Sequence, residues 1–387
     1  MIRSKRELEL YIHIPFCVRK CAYCDFLSAP AGDEMIEQYV ERLIDEIHAQ
    51  GACALLNEFI VTTMFLGGGT PSILTGEQVQ RIMSAIRANF PIAYNAEISM
   101  EANPGTVTLE KLTAYRQSGI NRISFGVQST NDEELKTLGR IHTYEEFLES
   151  YQLARKCGFE NVNVDLISAI PNQTVESWEE TVRKIVELDP EHISAYSLII
   201  EEGTPFYEKY GEGAEGERLL PTEEAEREMY YRTEEFLDQA GYHRYEISNY
   251  AKEGKECKHN LGYWERKNYL GMGLGASSLL DNVRYKNTDD LAKYLTFSDD
   301  LEEIQEDREI LSIGAQMEEF IFLGLRKMKG ISIQQFEDAF GKTLEACYGE
   351  RIHHLQNEKL LVIEDGFLRL TKKGIDVSNY VFAEILR

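Results

Sequence analysis

The chain lacks any apolar run near the roughly 18 residues needed to cross a bilayer. It is also short of positive charge: 41 Lys and Arg stand against 66 Asp and Glu, a net −25 over 387 residues. Such a surface repels phosphate backbones and anionic lipids, which argues against nonspecific nucleic-acid or membrane binding. Met1 to Glu7 is polar and runs into an alternating segment without a signal-peptide core. Cysteine is scarce, with seven in an odd and uneven set, so no disulfide framework is expected. Together these absences predict a cytoplasmic protein. A hydrophobic fraction of 43% and a charged fraction of 28% are those of a globular chain, and the length suggests one large domain with smaller additions.

Up to about residue 205, strand patterns alternate with helix patterns. Strands are predicted at Leu8–Ile14, Phe59–Leu66, Ala96–Glu101, Asn121–Val127, Asn161–Ile167 and His192–Leu198. Helices are predicted at Glu34–Ala49, Glu77–Ala88, Leu109–Ser118, Asp132–Leu138, Tyr144–Cys157 and Ser177–Leu188. Thr75 with Gln78, and Thr143 with Glu146, have the spacing of capping boxes. This rhythm predicts parallel strands joined by right-handed crossovers, in a doubly wound sheet or a (β/α) barrel. From 206 to 305 the pattern reads as a connecting region: an acidic lid, a helix near Glu223–Ala240, an irregular Tyr-, Asn- and Gly-rich stretch at Gly241–Leu280, and a solvated acidic connector at Ser298–Arg308. From 306 to 387, helical patterns precede two short strands hinged at Asp365-Gly366, the order of a winged-helix module. Residues 331–387 hold nine acidic and seven basic side chains, a poor footprint for a recognition helix. The module is expected over the barrel mouth or against a protein partner.

Cys17, Cys21 and Cys24 follow the first predicted strand directly, and these spacings gather three thiols on one loop. A structural zinc would want a fourth ligand; Cys53 lies on another element, and strand alternation is expected to turn His13 away from the loop. Three thiolates suit a [4Fe–4S] cluster with one iron left open to a small molecule, while zinc and a redox thiol pair remain as alternatives. In a barrel, ligand groups gather at the C-terminal ends of the strands. Gly67-Gly68-Gly69-Thr70-Pro71-Ser72 follows the second strand, Glu101 ends the third, Gln128 follows the fourth, and Asp165 lies in the fifth. Each has an ordinary reading as a turn or a cap; beside the cysteines they make a candidate site.

The three-cysteine spacing resembles the radical S-adenosylmethionine (SAM) superfamily, which implies a partial (β/α)6 barrel, a [4Fe–4S] cluster on these thiolates, and SAM chelated at the open iron. Tyr11-Ile12-His13-Ile14-Pro15-Phe16-Cys17, Glu101-Ala102-Asn103-Pro104, Gly126-Val127-Gln128-Ser129 and Leu138-Gly139-Arg140-Ile141-His142 are similar to the oxygen-independent coproporphyrinogen III oxidase group. That resemblance implies Tyr11, Tyr23, Gly68, Glu101 and the backbone near Ile199 around a first SAM. It implies Gly69, Thr70, Gln128, Arg140 and Asp165 around a second SAM-sized site. Glu101 and Asp165 would accept from ribose hydroxyls or an ammonium, and Arg140 would clamp a carboxylate, the plain alternative for Arg140 being a surface ion pair.

Within the group, the resemblance points to the haem chaperone branch. The oxidases carry a further cysteine where Phe26 stands, and a longer segment before the cluster motif than the sixteen residues here. Cys257-Lys258-His259-Asn260-Leu261-Gly262-Tyr263-Trp264 resembles the His-Asn-x-x-Tyr-Trp stretch of that branch. This implies haem as a further ligand, His259 as its candidate axial ligand, and transfer to an acceptor protein, including peripheral contact with membrane respiratory proteins. Ser277 occupies a position where relatives commonly show histidine. The alternative reading is an enzyme, a SAM-dependent oxidative decarboxylase of coproporphyrinogen III.

Overall fold

The computed structural model describes residues 5–298 and 300–386. Six parallel strands, β1 (Arg6–Ile14), β2 (Phe59–Gly68), β3 (Ile92–Ala102), β4 (Arg122–Gln128), β5 (Val162–Ser168) and β6 (His192–Ser197), lie side by side in chain order. Between them run α1 (Asp33–Gly51), α2 (Gly76–Asn89), α3 (Leu109–Gln117), α4 (Asp132–Leu138), α5 (Tyr144–Lys156) and α6 (Val175–Glu187). Thr75 and Thr143 start α2 and α5 with complete capping boxes. Along β1, Leu8, Leu10, Ile12 and Ile14 are fully buried in the apolar core that also holds Tyr39 and Leu43 of α1. Each such side chain contributes roughly 1.5–3 kcal/mol. The opposite face of β1, with Glu9, Tyr11 and His13, turns inward. Strand order and crossovers give the expected partial barrel.

The barrel is extended on both flanks by chain from 206–305. β7 (His243–Arg244) and β8 (Asn249–Ala251) add antiparallel strands beyond β6, while β9 (Tyr269–Met272) pairs parallel with β1. β10 (Ser277–Leu280), β11 (Val283–Asn287) and β12 (Gln305–Ile310) continue antiparallel to the edge, a twelve-stranded sheet among the described residues. The stretch expected to be irregular therefore supplies four of these strands. The charged side chains of the acidic connector are at least partly exposed among the described residues, yet its last four residues, 305–308, belong to the edge strand β12, a position where charge blocks further pairing.

The C-terminal module has its own apolar core, including Met317, Ile321, Phe336, Ile352, Leu368 and Val381, and a three-stranded sheet of 331–332, 361–364 and 367–370. It is tied to the flanking segment 206–305: the Met328 amide donates to the Tyr245 carbonyl at 3.0 Å, and Glu319 bridges Arg266 (2.8 Å) and Arg284 (2.6 Å).

Candidate cluster and cofactor site

The cysteine loop leaves β1 and returns at once. The Ala29 amide donates to the Pro15 carbonyl (3.0 Å) and the Cys17 amide to the Ala29 carbonyl (3.2 Å), closing the loop at its base. Its crown is held by the Ala22 amide on the Leu138 carbonyl (3.3 Å) and the Phe206 amide on the Ala22 carbonyl (3.0 Å). All three cysteines are free thiols. Thr70 Oγ1 donates to Cys17 Sγ at 3.3 Å, and an Arg140 nitrogen donates to Cys21 Sγ at 3.5 Å. A hydroxyl and a guanidinium thus reach two of the three sulfurs. Among the described residues no three His, Cys, Asp or Glu side chains close on one point as a single ion requires. In a cluster, by contrast, each thiolate ligates its own iron. The donor set fits a [4Fe–4S] group.

His13 departs from expectation. Its Nε2 lies 2.9 Å from the Leu27 carbonyl at the end of the loop, and its Nδ1 3.0 Å from the Tyr11 hydroxyl. A carbonyl only accepts, so Nε2 carries the proton and Nδ1 accepts from Tyr11. Alternation was expected to turn His13 away from the loop; the loop instead folds back over it. Gly68, at φ +110°, crosses directly over this imidazole, and a Cβ there would fall on the ring.

The remaining strand-end groups converge on the loop. Glu101 accepts from the Gly68 amide at 3.1 Å, and burial, with Asp165 nearby, pushes its pKa up to about 8. Asp165 accepts from Ser124 Oγ and Asn163 Nδ2, each at 2.8 Å. Asn103 links Thr70 (2.9 Å) to Arg140 (2.8 Å), and Arg140 also donates to the Gly126 carbonyl. Arg140 thus makes no surface ion pair: its partners include the Cys21 thiol, the Asn103 side chain, the Gly126 carbonyl and the Tyr23 hydroxyl. Gln128 sits buried at φ +72°, where β4 ends. Tyr23 packs edge-on against Phe206 at 6.2 Å. Ile199, just past β6, is 67% exposed.

A cavity of about 270 Å³ opens inside the barrel. Tyr11, Gly68, Glu101 and Asp165 line it from the strands, Phe26 from the cysteine loop, and His259, Asn260 and Tyr263 from the helix Lys258–Trp264. Gly69, Thr70, Gln128, Arg140, Tyr23 and Ile199 are not in its lining, so the predicted residues divide between cavity and loop. His259 is buried, stacked on Phe65 at 5.3 Å, with Nδ1 2.7 Å from Thr63 Oγ1 and Nε2 3.0 Å from the Tyr263 hydroxyl. Burial, aided by Arg122, lowers its pKa to about 3, so the ring is neutral and suited to metal binding.

Family comparisons bear on this geometry. Residues 11–185 match the model of the radical SAM superfamily, and residues 312–377 that of the HemN C-terminal domain. The chain is 39% identical over 376 residues to the haem chaperone HemW of Lactococcus lactis, covering 97% of this chain and 96% of the relative. It is 36% identical to HemW of Bacillus subtilis, covering 97% and 98%. The chain belongs to the HemW family of radical SAM proteins. The solved structure of coproporphyrinogen III oxidase from Escherichia coli superposes with a TM-score of 0.85 at 24% identity, over 99% of this chain and 90% of that one, and shows the shared fold. As in the rest of the superfamily, the cofactors of the HemW family are a [4Fe–4S] cluster and SAM.

Several inner groups of this HemW-family chain escaped the sequence reading. Arg122, Ser124, Asn163, Ser194 and Tyr196 also line the cavity. Glu97 accepts from the amides of Lys258 and His259, both at 3.2 Å, and so hangs the His259 helix on β3. The available signal was polar alternation in strands that a parallel sheet should bury on both faces.

Proposed function

We propose that this chain takes up haem at the cavity inside its partial barrel and passes it to an acceptor protein. In this reading Cys17, Cys21 and Cys24 hold the cluster, and Tyr11, Tyr23, Gly68, Glu101 and the Ile199 backbone hold SAM. Gly69, Thr70, Gln128, Arg140 and Asp165 form an adjoining second site, and His259 is the haem ligand. The bound cluster supplies an electron and an open iron for SAM chelation. The chain's own residues donate hydrogen bonds to the thiolates from Thr70 and Arg140, keep a proton on Glu101, and hold a neutral imidazole against Tyr263. To ligate iron, His259 must exchange its Tyr263 bond for the metal.

The observation that carries this reading is that His259, Asn260 and Tyr263 of the haem-branch motif face the same cavity as Tyr11, Gly68 and Glu101. Phe26 lines it too, an apolar ring where the oxidases have a thiol. Among the described residues no helix is long and apolar enough to cross a membrane, so an acceptor in a membrane would be met at its surface. Titrating the cluster-loaded protein with hemin tests the proposal. A stoichiometric Soret shift, lost in His259→Ala, is expected; no shift, or an unchanged shift in the variant, contradicts it.

A further inference from the structure

Ile123 and Phe125 of β4 face the apolar core, so alternation turns Arg122 and Ser124 inward, into the lining of the cavity. Among the described residues of that lining, Arg122 is the only Lys or Arg, and it is 2% exposed. A guanidinium carries five N–H donors and keeps its charge. This one makes a single hydrogen bond among the described residues, from Nη1 to Ser99 Oγ at 3.5 Å, and its Nε has no partner. Glu97 and Asp165 act on it through charge, but their oxygens bond elsewhere. Glu97 accepts from the Lys258 and His259 amides at 3.2 Å, and Asp165 from Ser124 and Asn163 at 2.8 Å. Donors left unmade at that depth are costly. A buried cation with spare donors at the wall of a cavity is built to receive an anion.

We propose that Arg122 binds a carboxylate of the cargo, so that the cavity selects a tetrapyrrole bearing free propionates. The planar fork of its donors matches a carboxylate bidentately. The strand register sets its depth: Arg122 stands opposite Ser99, and Ser124 opposite Glu101. Arg122 therefore lies two residues, roughly 7 Å along the strand, further from the cysteine loop than the level of Glu101. A SAM chelated at the open iron uses its own carboxylate at that loop, which leaves the deeper cation to the cargo. A carboxylate buried without a cation pays a heavy desolvation penalty, and one placed on this fork is compensated. An uncharged ester of the same ring gains nothing from Arg122. The identity of the cargo rests on the haem reading; the carboxylate contact needs neither iron nor His259.

Metal-free protoporphyrin IX and its dimethyl ester, titrated into the cluster-loaded protein and followed by porphyrin fluorescence, test the contact without iron ligation. In the wild type the free acid should bind about 10- to 100-fold more tightly than the ester. Arg122→Gln should weaken the acid to the level of the ester and leave the ester unchanged, and Arg122→Lys should restore part of the difference. Equal affinity of acid and ester in the wild type, or an equal loss of both in Arg122→Gln, would overturn the proposal. The wild-type comparison decides it even where a variant fails to fold. Calorimetry with SAM separates the two sources of carboxylate: if Arg122→Gln loses SAM binding but keeps the preference for the acid, the cation serves SAM and the proposal falls. With hemin, a His259-dependent Soret shift without any preference for the acid would leave the haem reading standing and remove Arg122. A preference for the acid without that shift would do the reverse, and no porphyrin binding at all would overturn both.

Discussion

The cavity has two unlike walls. On the strand-end wall, polar groups come from successive parallel strands and the loop after β1, and much of their bonding capacity faces outward. Glu101, for instance, takes one amide, from Gly68. On the opposite wall, the helix Lys258–Trp264 is tied to the barrel by Glu97 on its backbone and Thr63 on His259 Nδ1, while Tyr263 of the same helix occupies Nε2. The first wall is ready to receive a ligand; the second must exchange an existing bond to take one. A site that loads and then surrenders its cargo gains from such competition, because the internal partner reclaims the ligand position on release.

The largest expected effect separates the walls outright. Cys24→Ala should abolish cluster iron and sulfide after anaerobic reconstitution, whereas His259→Ala should leave both unchanged while removing the Soret shift. Loss of the cluster in His259→Ala would break the comparison. Next comes Glu101→Gln. An acid whose folded pKa is raised binds a proton the unfolded chain has released, so it costs stability increasingly as pH rises from 4.5 to about 8. The neutral variant should therefore stabilise apo-protein by about 4 kcal/mol at pH 8, with little change near pH 4.5, measured by urea unfolding, while weakening SAM binding in calorimetry. On the other wall, Gly262→Ala should cost about 1–3 kcal/mol by forcing Glu9 aside, and should alter hemin affinity more than cluster content. Thr75→Ala, far from both walls, should cost about 1 kcal/mol from the α2 cap in the same unfolding assay and change neither ligand.

The difference between the walls also decided what could be read from sequence. Strands β1–β6 and their helices repeat with clear periods, and the capping boxes at Thr75 and Thr143 mark helix starts by local chemistry alone. Glu101, Asp165 and the glycine turn followed from the rule that barrel ligands sit at strand ends. The second wall has no such local signature. β7 to β10 are two to four residues long and exist because β1 and β6 offer free edges, a long-range fact. His13 was expected to turn away from the loop, since nothing local says that Leu27 returns over it. Glu9 carries no local signal of burial in an alternating strand; only a fully covered barrel makes that alternation an interior.

The most direct measurement is an anaerobic ultraviolet–visible and EPR spectrum of reconstituted protein, with iron and sulfide assayed, before and after stoichiometric hemin. The two-wall account predicts about four irons and four sulfides per chain, with a cluster signal that persists as the Soret band shifts. Material holding about one zinc per chain and no sulfide would contradict it.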